Sequence, residues 1–225
     1  DLTGGERLLT KDQRNGEASY VYPTKLFRSF RSGEMIQYKC RGANILVTPN
    51  HKMFHRVWDG QNSAWSDWRW SEAGKLNKCN HQMSRDINWR APDIDEFEIP
   101  GFQSARKNRL PRRVDGDAWM EFLGWWMAEG HVVLARGIPA AVGITQKSAS
   151  TMAKIVGVCE RIGLHGKVSK SASTPQYCAT DAALCAWLLT LGRGSLNKRL
   201  PDCVRMASPR QAKIFLDAFI EGDGW

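Results

Sequence analysis

Two stretches of this chain end in a carboxylate followed by glycine, and their shared spacing makes both acids candidates for metal-assisted chemistry. They are FLGWWMAEG (residues 122–130) and LDAFIEGDG (residues 216–224). When the two are aligned, positions three and seven are small, position eight is acidic and position nine is glycine. The acids at position eight are Glu129 and Asp223, so we interpret the two stretches as copies of one internal repeat.

The small residues of the repeat are four apart, so they lie on one face of each predicted helix. Gly124 and Ala128 form such a stripe on the first helix, and Ala218 and Gly222 form one on the second. Two helices with these stripes can pack with their backbones close together, which would bring the two acids into proximity. Carboxylates held together at helix C-termini repel each other. A divalent cation relieves that repulsion, and hard oxygen ligands favour Mg²⁺.

The charge balance of the chain favours a polyanionic partner. The 225 residues include 32 Lys and Arg against 23 Asp and Glu, a formal charge of +9. This balance is typical of nucleic-acid binding, although basic proteins without such a partner are common. Metal-holding carboxylates on a basic protein predict hydrolysis of a phosphodiester. No apolar run reaches about 18 residues, so we expect no membrane partner. The six scattered cysteines, with no Cys-x-x-Cys pair, favour a reducing cytoplasm.

The two halves of the chain follow different patterns, which predicts a mixed fold class. Residues 1–100 contain short runs rich in Val, Ile, Tyr and Phe, separated by turn residues, and this favours an all-β domain. Residues 101–116 are basic and contain a proline, so we interpret them as a linker. Residues 117–225 alternate helical and strand patterns in the order αββαββα, followed by one further helix. The second copy of the αββ repeat is therefore incomplete, and we predict an α/β domain here.

Capping residues set the predicted helix boundaries. Polar side chains with free oxygens are preferred at the position before a helix, and glycine is preferred just after one. The serine before the last helix is followed by proline at the first helical position and glutamine at the third, which is typical of a capping box. The predicted caps are Asp117, either Ser148 or Ser150, Asp181, and Ser208 together with Pro209 and Gln211.

FLGWWMAEG and LDAFIEGDG resemble the paired signature helices of LAGLIDADG homing endonucleases. The resemblance implies that Glu129 and Asp223 are the catalytic, Mg²⁺-binding acids of a site-specific enzyme that cuts both strands of DNA. It implies that strands following each helix lie in the DNA major groove, here at about 131–147 and 165–180. A full-length member would be a monomer with two pseudo-symmetric repeats, whereas this chain supplies both signature helices and one set of strands. We therefore expect a fragment of a longer protein.

The same resemblance implies a set of DNA contacts on the strands and in the loop that follows them. Base contacts require polar side chains that reach into the groove, and cations beside the strands fix position through phosphates. The alternative is that these are ordinary exposed polar residues. The candidates for the groove are Arg136, Gln146, Lys147, Lys167, Lys170 and Gln176, and the candidates for phosphate are Lys198 and Arg199.

The N-terminal half contains a second resemblance. In NILVTPNHKMFHRV (residues 44–57), Thr48 and His51 follow an apolar strand and resemble block B of inteins, which are self-splicing proteins of the Hint fold. The resemblance implies that His51 polarises a scissile amide, that Thr48 assists it, and that the partners are the exteins of a host protein. A donor near the amide nitrogen is what an acyl shift requires. We expect a cytoplasmic protein of a prokaryote or a phage.

The first residues bear on whether splicing is active. Gly4, Leu8 and Thr10 are in register with the opening of an intein, but Asp1 stands where the nucleophilic Cys or Ser belongs. Three functions therefore remain open at this point. The chain is an intein with an endonuclease that cuts DNA, a LAGLIDADG-like module that binds DNA without cutting it, or a self-processing Hint domain with an inactive endonuclease.

Overall fold

The computed structural model describes residues 3–12, 14–40, 43–76, 80–84, 87–103, 108–169 and 174–223. Its class is mixed α/β, as the sequence predicts. The chain forms two compact units, Asp1–Asn88 and Trp89–Trp225. None of the helices in the described ranges has the length and apolar character needed to cross a membrane.

The first unit consists of short strands and one turn of 3-10 helix. A hairpin of the first two strands has the ninth at its edge, the third and fourth strands form a second hairpin, and the fifth strand pairs with the sixth, seventh and eighth. Its described buried core is small: Val47, Met53 and Ala73. The strands are β1 (Leu8–Lys11), β2 (Glu17–Val21), β3 (Ile36–Cys40), β4 (Ala43–Val47), β5 (Lys52–Asp59), β6 (Ala64–Trp65), β7 (Arg69–Glu72), β8 (His81–Met83) and β9 (Asn88–Trp89), and the 3-10 turn is Ala73–Lys75.

The second unit contains five helices and eight strands in its described residues. From Gly116 onward the helices and strands follow the predicted order αββαββα, with one extra helical turn before the last helix. They are β10 (Glu96–Ile99), β11 (Phe102–Gln103), β12 (Asn108–Arg109), β13 (Arg112–Asp115), α1 (Gly116–Glu129), β14 (Gly130–Ala135), β15 (Ile138–Thr145), α2 (Ala149–Arg161), β16 (Gly166–Ser169), β17 (Gln176–Ala179), α3 (Ala182–Thr190), α4 (Asp202–Arg205) and α5 (Pro209–Asp223).

The stretch predicted as a linker, 101–116, behaves differently in the structure. The boundary between the units lies ahead of it, and its described residues contribute β11, β12 and β13 to the second unit. The acidic strand β10 pairs antiparallel with the basic strand β13, and Arg113 contacts the carboxylates of Glu96 at 3.3 Å and Glu98 at 3.9 Å. Opposite charges across a strand pair are favourable. The charge runs that suggested a linker are therefore the two sides of one ladder.

Helix α1 starts one residue earlier than predicted. Asp115 is its N-cap, and the Asp115 carboxylate accepts a hydrogen bond from Ala118 N at 2.7 Å. Position 116 must be glycine because a Cβ there would collide with the backbone carbonyl of Ile94. Asp117, the predicted cap, instead lies in the first turn and forms a bidentate ion pair with Arg210, at 2.6 and 2.8 Å.

The other caps are side chains that accept a hydrogen bond from a backbone N–H in the first turn. Ser148 accepts from Thr151 N at 3.3 Å, Asp181 from Leu184 N at 2.9 Å and Ser208 from Gln211 N at 3.1 Å.

The predicted capping box at α5 is formed only in half. Ser208 caps the helix, but the buried side chain of Gln211 does not return to Ser208. Its amide oxygen accepts from Ile94 N at 2.8 Å, and its amide nitrogen donates to Ile94 O at 2.8 Å and to Asp117 at 2.9 Å. A buried amide is satisfied here by backbone from a distant part of the chain, which the local pattern could not reveal.

The central sheet of the second unit is antiparallel, in the order β14, β15, β17, β16. Successive side chains alternate between its two faces. One face carries Val142, Ile144, Tyr177 and Ala179, all members of the main hydrophobic core. The other face carries more polar residues, and the functional candidates lie at the end of the sheet where α1 gives way to β14.

Candidate functional site

Helices α1 and α5 pack with their backbones in close approach, at the four positions that the repeat singled out. A Cβ added to Gly124 would lie 2.7 Å from Ala218 Cβ and closer still to the carbonyl oxygen of Phe215. A Cβ added to Gly222 would lie 2.7 Å from Ala128 Cβ. Such distances are far below ordinary contact, so neither glycine can be replaced without separating the helices. We call this contact the α1–α5 seam.

The seam brings the two repeat acids into one electrostatic environment. Glu129 is the last residue of α1 and Asp223 the last residue of α5. Partial burial raises the pKa of the Glu129 carboxyl above its usual value, and the negative charge of Asp223 raises it further. Glu129 is half-buried, whereas Asp223 is exposed. The pair is thus a site of concentrated negative charge with one side open to solvent.

Lys198 lies beside this pair and caps the end of α1. Its ammonium donates to the carbonyl oxygens of Trp126 at 2.7 Å, Met127 at 3.1 Å and Gly130 at 2.7 Å, and it lies 4.4 Å from the ring centroid of Trp126. Burial lowers the pKa of Lys198 to about 8, while the charge of Glu129 acts in the opposite direction. Carbonyls at a helix C-terminus otherwise lack partners. Lys198 therefore serves the protein backbone, in contrast to the exposed phosphate contact that the sequence predicts.

His131 and Gln176 form a second polar contact close to the acids, and sequence reasoning missed the histidine. His131 is the second residue of β14, two positions beyond Glu129. Its Nε2 lies 2.8 Å from Gln176 Nε2 on β17. Partial desolvation, followed by the charge of Lys198, lowers the pKa of the His131 imidazole. Only the strand register, with β15 between β14 and β17, brings these two residues together.

The remaining groove candidates are scattered along the same sheet. Arg136 is exposed at the tip of the β14–β15 hairpin, where its φ of 53° lies in the left-handed region. Lys167 is exposed on β16, where it pairs with Cys178 of β17. Lys170 lies outside the described residues.

The loop candidates are more varied in their contacts. The Gln146 amide oxygen accepts hydrogen bonds from Lys147 N at 2.8 Å and Ser148 N at 3.1 Å, so this side chain organises its own loop. Lys147 is exposed. Arg199 is also exposed, and it lines a cavity of about 410 Å³ together with Trp187.

Thr48 and His51 occupy the two ends of one β-turn in the first unit. His51 N donates to Thr48 O at 2.9 Å, and the Thr48 hydroxyl donates to the side chain of Asn50 at 2.7 Å. Ala73 N donates to His51 O at 2.8 Å, which anchors the turn. Asp1 lies outside the described residues.

The donor set at the ends of α1 and α5 determines which cation would fit. Within the described ranges, no three or more His, Cys, Asp and Glu side chains come together as a metal-binding group. Two carboxylates remain, from Glu129 and Asp223. Mg²⁺ is commonly held by one or two carboxylates together with water and substrate phosphate oxygens, without an all-protein cage. The residues present fit that mode of binding.

Comparison with known proteins gives distant relatives. No family model matches the chain. It is 26% identical over 238 residues to an ATP-dependent Clp protease proteolytic subunit of Chlamydomonas moewusii, covering 99% of this chain and 23% of that protein. It is 23% identical to a DNA-directed RNA polymerase subunit beta C-terminal section of Stigeoclonium helveticum, covering 92% of this chain and 20% of that protein. It is also 23% identical to a subunit of the A-type ATP synthase of Pyrococcus abyssi, covering 94% and 20%.

Proposed function

We propose that this chain is an intein-type polypeptide in which the second unit is a LAGLIDADG homing endonuclease. In this proposal the second unit makes site-specific double-strand cuts in DNA with Mg²⁺, and the first unit is Hint-like and serves protein splicing. The observation that carries the proposal is the α1–α5 seam, which joins two copies of one helical repeat and ends in Glu129 and Asp223.

The two carboxylates fit a role in phosphodiester hydrolysis. Mg²⁺ bound between them would supply an activated water and would stabilise the leaving oxygen. Asp223 is exposed, so a DNA phosphate can reach the pair from the solvent side. Glu129 is partly desolvated, which strengthens its attraction for a cation. Lys198 offsets part of the negative charge, and its pKa of about 8 keeps its charge responsive near neutral pH.

The sheet and the net charge support DNA as the substrate. A formal charge of +9 favours a polyanion. The sheet face opposite the core carries His131, Lys167 and Gln176, with Arg136 at the tip of one hairpin. A two-stranded ribbon fits the major groove of DNA, and this row of polar side chains on adjacent strands would face the base edges.

The coverage of the relatives supports an inserted element. Nearly the whole chain aligns with part of a protease, part of a polymerase and part of a synthase, and each alignment takes up only a fifth to a quarter of the relative. Three proteins with different activities share a segment of this length, so the segment does not belong to any one of those activities. An intein inserted into unrelated hosts would give this pattern, and the hosts' own sequences would be its exteins.

The first unit would contribute the splicing residues. In the proposed role His51 donates to the scissile amide and Thr48 assists from the other end of the same turn. Asp1 cannot perform an ordinary acyl shift because a carboxylate is not a thiol or hydroxyl nucleophile. The proposal therefore assigns cleavage of DNA to this chain with its own residues, and it leaves the first splicing step to a nucleophile other than the side chain of Asp1.

A plasmid cleavage assay tests the endonuclease. The DNA is a plasmid in which the coding sequences flanking this chain are joined directly, so that the insertion site is restored. We expect the full chain with Mg²⁺ to linearise it. Glu129→Gln and Asp223→Asn should each lower the rate at least about 100-fold, because several kcal/mol of charge stabilisation are lost. Glu160→Gln, which changes an exposed acid on α2, is the matched control and should cut normally.

Two results would contradict the proposal. One is cutting that persists when Glu129→Gln and Asp223→Asn are combined in one chain. The other is an intact plasmid after incubation of the unaltered chain, under conditions where a gel shift shows that it binds the same DNA. The second result would favour a module that binds DNA without cutting it.

A further inference from the structure

The open face of the central sheet contains a polar bridge that spans three strands. His131 of β14 lies opposite Gly143 of β15, and Gly143 lies opposite Cys178 of β17. Gln176 is two residues before Cys178, so its side chain emerges on the same face. The His131 and Gln176 side chains meet above Gly143, with 2.8 Å between their Nε2 atoms.

Gly143 is the residue that permits this bridge. A Cβ at position 143 would lie 2.5 Å from Gln176 Nε2 and 2.6 Å from His131 Nε2. Any other residue would therefore push the two side chains apart. The bridge covers Gly143, which is buried although it faces away from the core. A glycine interrupts a strand at a cost in stability, and here the space it leaves is filled by a polar pair.

The chemistry of the contact fixes the orientation of both side chains. An amide nitrogen carries only hydrogens, so Gln176 Nε2 donates and His131 Nε2 accepts. The neutral imidazole then carries its proton on Nδ1. Gln176 retains its second N–H and its Oε1, and these two groups have no other hydrogen-bond partner within the described part of the chain. One donor and one acceptor are thus held side by side on an exposed, rigid strand.

We propose that His131 and Gln176 act as one base-reading unit that selects an adenine in the major groove of the DNA target. The inference rests on the proposed endonuclease function. A Gln amide presents the donor and acceptor that match adenine N7 and N6, and His131 prevents the amide from flipping. His131 follows Glu129 by two residues, so the adenine lies close to the phosphodiester that is cut. Positively charged Lys167 on the same face would hold the adjacent backbone.

A binding selection tests the base-reading unit without requiring cleavage. The full chain is used to select from a library of 24-base-pair duplexes with random sequence, at one fixed salt concentration and in Ca²⁺, and the bound DNA is sequenced. We expect the unaltered chain to enrich adenine at one position by about 5- to 140-fold over the other bases, the range for one good bidentate contact.

Four variants define the role of each group. Gln176→Ala should lose the preference at that position alone. Gln176→Glu should shift it from adenine to cytosine, because a carboxylate accepts from cytosine N4. His131→Phe keeps the bulk of the ring but removes the acceptor, so the adenine preference should weaken at the same position. Thr190→Ala, an exposed residue at the end of α3, is the control and should leave every preference unchanged.

The outcomes separate this inference from the function on which it rests. A preference profile that is identical for the unaltered chain, Gln176→Glu and His131→Phe overturns the base-reading unit while DNA recognition itself stands. A uniform fall in affinity across all positions also overturns it, because that is the signature of a phosphate contact. An unaltered chain that enriches no sequence at all contradicts the proposed function and removes the basis of the inference.

Discussion

The two units use the same kind of residue in opposite ways. In the second unit Trp119, Trp125 and Trp126 are almost fully buried on α1, and they form part of a continuous hydrophobic core. In the first unit Trp65 and Trp70 are 39% and 47% exposed, and the described buried core is limited to three residues. Burial of large apolar side chains is the main source of stability. The difference teaches that tryptophan content alone does not reveal where a chain is stable.

The comparison also explains where the candidate site lies. A site that holds two carboxylates together stores electrostatic repulsion, so it needs a rigid support. The α1–α5 seam provides that support because both helices are anchored in the large core. The turn with Thr48 and His51 has less support, since it lies beside the small core of the first unit.

Truncation of one tryptophan in each unit gives the largest expected effect. Trp119→Ala should lower the free energy of unfolding of the second unit by about 3–5 kcal/mol, because it removes a fully buried ring. Trp70→Ala should cost less than about 1.5 kcal/mol, because nearly half of that side chain is already in water. Urea unfolding followed by circular dichroism measures both. Equal losses in the two variants would remove the contrast between the units.

The seam is tested by adding one methyl group to a glycine. Gly124→Ala should destabilise the second unit by about 1–3 kcal/mol, since the new Cβ overlaps α5. Gly157→Ala is the matched control on α2, where a Cβ meets no atom within 4 Å, and it should stabilise the helix by about 0.5–1 kcal/mol. Thermal unfolding of the two variants shows the signs. If Gly124→Ala stabilised the protein as Gly157→Ala does, the close packing of α1 on α5 would be refuted.

The first unit should respond more than the second to mild acid. His55 is 1% exposed, its Nδ1 lies 3.0 Å from His81 Nδ1, and neither Nε2 atom has a hydrogen-bond partner among the described residues. Burial lowers the pKa of His55, followed by the charges of His81 and Arg69. The folded unit therefore favours neutral His55. Its contribution to stability is present above the unfolded pKa of about 6.5 and is lost as the pH falls from there through the lowered pKa.

Unfolding of the first unit between pH 7.5 and 5 measures this loss. The free energy of unfolding should fall with the pH in the unaltered chain, and His55→Gln should make the slope shallower. His165→Gln, a change at an exposed histidine of the second unit, is the control. An unchanged slope in His55→Gln would mean that His55 carries no such linkage.

The sequence reveals those features that depend on local spacing. The order of helices and strands after residue 116, the caps Ser148 and Asp181, and the small-residue stripes of the seam all follow from patterns a few residues long. The repeat of the two acids could be recognised because each copy is contiguous.

The features that the sequence does not reveal depend on contacts between distant segments. Lys198 reaches three carbonyls at the end of α1 from a loop some seventy residues away in the chain. His131 meets Gln176 only because β14, β15 and β17 are adjacent in one particular register. The charged stretch around residues 96–115 suggested a linker because its acidic and basic runs are separate in sequence, although they pair in space.

The central claim is that the α1–α5 seam brings Glu129 and Asp223 into one site. The most direct test is an NMR titration of the Glu129 side-chain carboxyl in the full chain, without metal, and in the Asp223→Asn variant. The account predicts that the pKa of Glu129 is raised in the unaltered chain and falls when the charge of Asp223 is removed. A Glu129 pKa that is the same in both proteins would contradict the claim, because the two carboxylates would then not share a site.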